Sequence, residues 1–228
     1  MNRYESLATT DAVVSFMTKV YAWMGFALLL TALTAHLVAS SESVISFIFG
    51  NRIIFYGLLI GQLALVIAIS AAINKISSQM ASLLFVIYSL LTGVTFSFIF
   101  MIYAQESIAT TFFVTAGVFV LMSIYGTVTK QDLTKLGNIL FMALLGLILA
   151  TVVNFFWANS TLYWITTYVG VLIFVGLVAY DTQMLRKLGA QVEEGESAAK
   201  FSIIGALRLY LDFINMFLFL LRIFGRRR

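Results

Sequence analysis

The feature that most constrains this chain is a series of six stretches, each about 20 residues long, that contain no charged side chain. A stretch of this length crosses the hydrocarbon core of a bilayer as an α-helix. The six are Val20–Ala39, Ile53–Ile73, Met80–Ala104, Ile108–Val128, Leu136–Ala158 and Leu162–Tyr180. A seventh stretch, Phe201–Phe224, has a similar length but contains Arg208, Asp212 and Arg222. The pattern predicts an all-α membrane protein with seven transmembrane helices, because the strict alternation of a membrane β-barrel is missing.

Composition supports a lipid-embedded chain without a further soluble domain. The sequence is 61% hydrophobic and 11% charged, whereas soluble domains are about 25% charged. Its 228 residues are enough for one bundle, so we expect residues 1–228 to form a single integral membrane domain. Cysteine is absent, which excludes disulfides, thiolate metal sites and cysteine nucleophiles. Proline is absent too, so any helix kink must come from Gly, Ser or Thr. The net charge of +4 does not indicate a nucleic-acid partner.

The distribution of Lys and Arg predicts the orientation. One side of the predicted bundle collects Arg3, Lys19, Lys75, Lys130, Lys135, Arg186, Lys187 and Lys200. Up to the end of the sixth span, the other side has Arg52 alone. The positive-inside rule therefore predicts a cytoplasmic amino terminus, and the polar start does not resemble a cleavable signal peptide. The basic tail Arg226–Arg228 conflicts with this rule: either the last segment re-enters the membrane, or the tail is an exception.

Two acids mark the candidate site. Asp181 ends the sixth apolar run and Asp212 lies within the seventh. A carboxylate at bilayer depth is costly and usually functional. Two carboxylates in contact tend to share a proton, which would make a pH sensor. The alternative is an ion pair between Asp212 and Arg208, four residues earlier, that neutralises the charge in place. We expect the helix around Asp181 to continue to Gly189, which places this acid near the cytoplasmic end of span six. The depths of the two acids match better if the seventh span begins below the interface.

Oxygen ligands near the two acids favour a hard cation. Asn215 shares a helix face with Asp212, and with Asp181 these groups suit calcium. Two acids are too few for a tight cage, so we expect a weak, transient calcium site of the kind that conduction needs. Lys75, in the link between spans two and three, is either a latch for Asp181 or a solvated lysine. No cofactor is expected, with calcium as the candidate permeant ion.

Other polar and small residues in the spans have structural explanations. Gln62 is interpreted as an interhelical hydrogen-bond donor. Gly57–Gly61 matches a common helix-contact pattern with small residues four apart. The segment Thr92–Ser97 forms a small polar patch, for which we expect close packing against span seven, with pore lining as the alternative.

Outside the spans, enzymatic chemistry has little support. His36 is the single histidine, and an interfacial anchor is favoured over a catalytic role. The polar loop Thr182–Lys200 carries Glu193, Glu194 and Glu196, for which a solvated loop is favoured over a metal site. Without ligand spacing for a catalytic metal, the chain is expected not to be an enzyme.

Several segments resemble one membrane-protein family. They are Ala179–Gln183 at the end of span six, Gly205–Phe217 and Leu220–Gly225 in span seven, Tyr88–Gly93 in span three, and Thr129–Leu133 after span four. Together they resemble the Bax inhibitor-1 (transmembrane Bax-inhibitor-motif) family, in its bacterial inner-membrane branch. The likeness runs from about Val20 to Gly225, and the block Tyr210–Asn215 is its most specific part.

The resemblance implies a seven-helix bundle with the last helix central, and a pH-sensitive calcium leak gated by a dyad at Asp181 and Asp212. Some members have an arginine latch in span two; this chain has none there, and Lys75 is a displaced substitute. Many members have an acid where this chain has Gln62. Some bacterial relatives are partners of a membrane-bound AAA protease, so an interaction protein without transport activity is the alternative. An intramembrane aspartyl protease is disfavoured, because its Gly-x-Gly-Asp segment is absent.

Overall fold

The computed structural model describes the backbone from Arg3 to Arg228 and the side chains from Asp11 onward. The side chain of Arg3, counted above among the cytoplasmic charges, lies outside the described part. The described chain is helical, and seven of its segments are long and apolar enough to cross a membrane. The helices are α1 (Arg3–Ala39), α2 (Glu42–Gly50), α3 (Arg52–Ala72), α4 (Ser78–Phe96), α5 (Ile99–Ile102), α6 (Gln105–Val128), α7 (Thr134–Trp157), α8 (Ser160–Gly189) and α9 (Glu196–Phe224). The predicted all-α membrane fold with seven spans is therefore confirmed.

The spans are helices because the bilayer offers no hydrogen-bond partner to an exposed backbone. Polar caps mark where two of them begin. The Oδ1 atom of Asn51 accepts a hydrogen bond of 2.9 Å from the Ile53 N–H, and Ser77 Oγ accepts one of 3.2 Å from the Met80 N–H. These caps satisfy donors that the first turn of α3 and of α4 would otherwise leave open.

Burial distinguishes the last helix from the others. In its most apolar 18-residue window, 72% of α9 is buried, against 6% for α3 and for α7. A helix that is apolar over most of its circumference and buried there packs against protein rather than lipid. The expectation that the last helix is the central one is confirmed by this burial.

Three features of the outer spans differ from the simple pattern of seven runs. The first span belongs to one helix that begins far before Val20, at Arg3. The link after it contains a short helix, α2, in which Ile48 is buried. The third span is interrupted at Ser97, whose Oγ donates 2.7 Å to the Val94 carbonyl. A serine hydroxyl bonded to its own helix is a known cause of kinks, as expected for a chain without proline.

The polar loop predicted at Thr182–Lys200 is shorter than expected, whereas the predicted continuation of the sixth helix to Gly189 is confirmed. Helix α8 continues to Gly189 and α9 begins at Glu196, so the connection is only residues 190–195. Asp181 therefore lies inside a helix, not at its end. Glu196 is engaged with Ser78, whose N–H and Oγ lie 2.6 and 2.8 Å from its two carboxylate oxygens. The carboxylate thereby caps the amino terminus of α4.

The last helix is continuous over its 29 residues, which excludes a re-entrant final segment. The tail that follows it is held by backbone contacts. The Arg226 N–H donates to Ser107 Oγ at 3.1 Å, and the Arg228 N–H donates to the Ile102 carbonyl at 2.9 Å. With the predicted cytoplasmic amino terminus, the basic tail would be the exception to the positive-inside rule, and this orientation stays a prediction.

The chain forms two compact units, and α9 contributes to both. Unit one contains the described residues up to Ala104 together with Leu188–Tyr210 and Arg227–Arg228. Unit two contains Gln105–Lys187 and Leu211–Arg226. The single integral domain expected from the sequence stays a prediction.

Tyr210 is the buried anchor of unit one. Its side chain is fully enclosed, and its ring meets those of Phe85 and Tyr88 edge-on at 5.8 and 5.9 Å between centroids. Its hydroxyl lies 2.7 Å from Thr31 Oγ1, which in turn donates to the Ser89 carbonyl at 2.9 Å. Because a hydroxyl has one hydrogen to donate, Tyr210 is the donor to Thr31. This chain of bonds ties α9 to α1 and α4.

The small and polar residues of α4 contact two different helices. A Cβ atom built on Gly93 would lie 2.6 Å from Thr34 Cβ and 2.7 Å from the Thr31 carbonyl oxygen, so Gly93 packs against α1. The Thr92 side chain is hydrogen-bonded to Tyr210 of α9, so the predicted packing of this patch against span seven is confirmed at Thr92.

Gln62 behaves as predicted. Its amide donates to the Leu91 carbonyl at 3.3 Å and to Thr95 Oγ1, which joins α3 to α4. The glycines at the two ends of Gly57–Gly61 have no described atom near the Cβ position. The contact predicted for that pattern is therefore not made within the described chain.

Candidate functional site

The two acids singled out in the sequence are both buried in unit two. Asp181 and Asp212 are each 5% exposed. Both lie within long continuous helices, α8 and α9, which run antiparallel because only six residues connect them.

The register of these two helices follows from an aromatic contact between them. The rings of Phe174 on α8 and Phe219 on α9 stack at 6.0 Å. The backbone of Gly170 also lies against Phe219, since a Cβ there would be 2.7 Å from the ring. Asp181 follows Phe174 by seven residues, and Asp212 precedes Phe219 by seven. Seven residues are close to two helical turns. We infer that the two carboxylates lie at one level, on the helix faces that the stacked rings define.

A stripe of buried hydroxyls runs along α6 and meets α8 at Thr182. Thr111, Thr115 and Ser123 lie on one face at multiples of four residues, and all three are buried. Thr115 Oγ1 donates to the Thr111 carbonyl at 2.7 Å. The Thr182 hydroxyl, next to Asp181, lies 3.4 Å from Ser123 Oγ. Within the described part of the chain, the hydroxyl of Thr111 has no hydrogen-bond partner. A buried hydroxyl without a protein partner is costly.

Phenylalanine side chains interrupt this stripe next to Asp212. Phe119 occupies the position between Thr115 and Ser123, and its ring meets that of Phe213 at 5.7 Å. Phe112 closes the same cluster, with its ring 5.3 Å from that of Phe213. The cluster separates the threonine end of the stripe from its serine end.

Close backbone contacts fix α8 around Asp181. The position that a Cβ would take on Gly126 of α6 overlaps the carbonyl oxygen of Ala179. The corresponding position on Gly137 of α7 overlaps the ring of Tyr180. Only glycine allows two neighbouring helices to approach α8 this closely at adjacent residues. The position of Asp181 is therefore set by helices on two sides.

The link between α6 and α7 is tied to α8 just past the acid. Gln183 accepts a hydrogen bond of 2.9 Å from the Leu133 N–H and donates one of 2.8 Å to the Gln131 carbonyl. The Thr129–Leu133 segment and the segment that contains Asp181, both of which carry the family resemblance, therefore meet here. At the exposed end of the link, Lys187 Nζ lies 2.7 Å from Asp132. Hydrogen bonds from Lys187 and then Thr134 lower the pKa of Asp132 to about 2.

The remaining predicted site residues are Asn215, Arg208 and Lys75. Asn215 is half-buried, and its amide donates to the Leu211 carbonyl at 2.8 Å. Arg208 is exposed and belongs to the part of α9 in unit one. Lys75 is exposed in the turn after α3, also in unit one, and its latch to Asp181 stays a prediction. Among the described residues, no group of three or more His, Cys, Asp or Glu side chains could hold a metal. The candidate calcium ligation by Asp181 and Asp212 stays a prediction.

Sequence reasoning found the acids but missed the hydroxyl stripe and Tyr210. The available signal was the spacing of Thr111, Thr115 and Ser123, which places them on one helix face. Threonine and serine are common in membrane helices, so that spacing does not by itself distinguish a polar path from ordinary helix contacts.

Comparison with known proteins agrees with the resemblance. The family described as "Inhibitor of apoptosis-promoting Bax1" matches residues 13–228. The chain is 53% identical to Inner membrane protein YbhL of Escherichia coli strain K12 over 94% of this chain and 92% of that one. It is 46% identical to an uncharacterized protein of Borreliella burgdorferi over 93% and 92% of the two chains. An uncharacterized protein of Deinococcus radiodurans is 45% identical over 96% and 94%. With a match over nearly its full length and seven membrane-spanning helices, the chain is a multi-pass membrane protein that belongs to the Bax inhibitor-1 family.

Proposed function

We propose that this protein is a proton-gated cation leak of a bacterial inner membrane, with calcium as the permeant ion. The observation that carries the proposal is the stacking of Phe174 on Phe219, from which we infer that the buried carboxylates of Asp181 and Asp212 lie at one level of α8 and α9. The inner-membrane location is supported by the relative from Escherichia coli, which is named for it. The amino terminus is proposed to be cytoplasmic, as the Lys and Arg distribution predicts.

The gate follows from the electrostatics of two acids in a weakly polar interior. With one proton shared, the pair carries a single charge and holds α8 against α9. When that proton is lost, two negative charges repel each other with little screening. The neighbouring helices offer little compensation, because Ile108–Val128 of α6 and Leu136–Trp157 of α7 contain no charged side chain. Arg208 on α9, and Arg186 and Lys187 on α8, are the nearest cations along the chain. Deprotonation would therefore loosen the helix pair and supply oxygen ligands for a cation.

The hydroxyl stripe of α6 supplies the rest of the path. Thr111 and Thr115 offer oxygen atoms on one side of the phenylalanine cluster, and Ser123 with Thr182 on the other. The ring of Phe119 blocks the path in the closed state. Because Phe213, which packs on that ring, follows Asp212 directly, a movement of the acid would shift the block. Weak, successive oxygen sites are what ion conduction requires.

Calcium entry into liposomes containing the purified protein tests the proposal across pH 6 to 8. We expect flux to rise with pH in the wild type, and Asp212→Asn and Asp181→Asn to lose the pH dependence. Asp132→Asn is the matched control, because it removes an exposed acid outside the spans. An unchanged pH profile in Asp212→Asn would refute the gate.

The alternative remains an interaction protein that modulates a membrane-bound AAA protease without transport. Wild-type flux no greater than that of empty liposomes would favour it. In that case the two acids would be reassigned to helix packing, and co-purification of a membrane protease would be the next measurement.

A further inference from the structure

A polar cavity lies within unit one, between the start of α1 and the connection into α9. Its volume is about 140 Å³. Its polar wall includes Ser15 and Lys19 of α1, and Glu194 and Gly195 of the connection. Phe16 and Ala198 form part of its apolar wall. The cavity is large enough for a small charged head group but not for a folded partner.

An apolar groove continues from this cavity along α1. The groove is shallow and open, has a volume of about 360 Å³, and is lined by Lys19, Ala22, Trp23 and Phe26. Lys19 lines both spaces, so they adjoin at its side chain. Ser15, Lys19, Ala22 and Phe26 follow one another at spacings of four, three and four residues, which keeps them on one helix face. A charged space followed by an apolar groove has the layout of a phospholipid, with head group first and acyl chain after.

The position of these residues fits the membrane interface. Lys19 precedes the first uncharged run by one residue, on the side predicted to be cytoplasmic. Trp and Lys side chains are enriched at this depth, where an apolar body and a polar tip are both accommodated. Phe26 is 46% exposed and faces the lipid side of the helix.

The cavity carries one charge of each sign. Among the side chains that the structure describes, neither Lys19 nor Glu194 forms an ion pair. The neighbouring Glu196 does not compete, because its carboxylate is bound to Ser78. A purely anionic head group would satisfy Lys19 but would meet the carboxylate of Glu194. A head group with a phosphate and an ammonium satisfies both.

We propose that this cavity and groove bind a phospholipid with a phosphoethanolamine head group. Its phosphate pairs with Lys19, its ammonium donates hydrogen bonds to Glu194, and one acyl chain lies along Trp23 and Phe26. A choline head group has the same charges, but its quaternary ammonium has no N–H to donate. The site therefore selects phosphatidylethanolamine over both phosphatidylcholine and phosphatidylglycerol.

Quenching of Trp23 fluorescence by brominated lipids tests this proposal independently of ion flux. The chain has three tryptophans, and replacing the lipid-exposed Trp157 and Trp164 by Phe leaves Trp23 as the single reporter. The protein is placed in nanodiscs of phosphatidylcholine that contain an equal small fraction of one brominated guest lipid. We expect phosphatidylethanolamine to quench at least about twofold more than the other two guests. Glu194→Gln keeps an acceptor oxygen but loses the charge, so it should weaken the preference over phosphatidylcholine.

Glu193→Gln is the matched control, because Glu193 neighbours Glu194 without lining the cavity. It should keep the preference, and circular dichroism of each variant confirms that the helices are retained. Equal quenching by all three guests would show that only bulk lipid contacts Trp23 and would overturn the proposal. Stronger quenching by phosphatidylglycerol would also overturn it, because Lys19 alone would then define the site.

Discussion

Replacing Gly126 with alanine should destabilise the protein by forcing α6 away from α8. The added Cβ would overlap the carbonyl oxygen of Ala179. That oxygen belongs to the backbone of a continuous helix, so no side-chain rotation can move it away from the added methyl group. Forcing an extra methyl group into a closely packed contact costs about 1–3 kcal/mol. The cost falls on the segment that positions Asp181, two residues further along α8.

A matched control on the same helix isolates this effect. Gly117 also lies in α6, but no described atom is within 4 Å of its Cβ position. Alanine is favoured over glycine inside a helix by roughly 0.5–1 kcal/mol, and this gain applies to both positions. It cancels in the comparison, so Gly126→Ala should be less stable than Gly117→Ala by about 1–3 kcal/mol.

Reversible unfolding in mixed micelles measures this difference. Each variant is titrated from dodecyl maltoside into dodecyl sulfate, and helix loss is followed by circular dichroism. We expect Gly117→Ala to unfold at or above the wild-type midpoint and Gly126→Ala clearly below it. Coincident midpoints for the two variants would refute the close contact between α6 and α8.

Two further predictions concern groups outside the carboxylate pair. Tyr210→Phe removes the hydrogen bond to Thr31 and should lower the free energy of unfolding by about 0.5–1.5 kcal/mol in the same titration. Tyr168→Phe is the control: its side chain is 54% exposed, and the change should have no measurable effect. Asp132 has a pKa lowered from 3.8 to about 2 by Lys187, so its contribution to stability is present above pH 3.8 and is lost as pH falls towards 2. Carboxyl carbon chemical shifts check this value, and a midpoint near 3.8 would contradict the ion pair.

The seven spans could be predicted because a charge-free run of sufficient length has few alternatives to a membrane helix. Their ends were less predictable where protein, not lipid, surrounds the helix. The apolar run of the sixth span ends at Tyr180, but its helix continues to Gly189, as expected, with Asp181 buried inside it. Ala179 and Tyr180, just before this acid, pack against α6 and α7. A hydropathy scale includes the cost of placing a carboxylate in lipid, but it takes no account of the neighbouring helices.

The acids of the site were visible in the sequence because carboxylates are rare in apolar runs. The inferred position of the two acids at one level was not visible in the sequence, because it depends on how α8 and α9 are rotated and shifted against each other. Contacts such as Phe174 with Phe219 set that register, and any two aromatic residues in these helices could have met instead. Tyr210 was missed for a related reason. Nothing in its local sequence shows that Thr31, far away in the chain, will accept its hydrogen bond.

The basic tail beyond α9 has an energetic consequence for how the protein enters its membrane. Because α9 is a continuous span, the predicted orientation requires Arg226–Arg228 to cross to the outer face. With the cell interior negative, moving three positive charges outward through 100 mV costs about 7 kcal/mol, at about 2.3 kcal/mol for each charge. The apolar surface that α9 buries must offset this work. Insertion of the last helix is therefore opposed by the membrane potential, and it should depend on the other spans having already formed the surface that receives it.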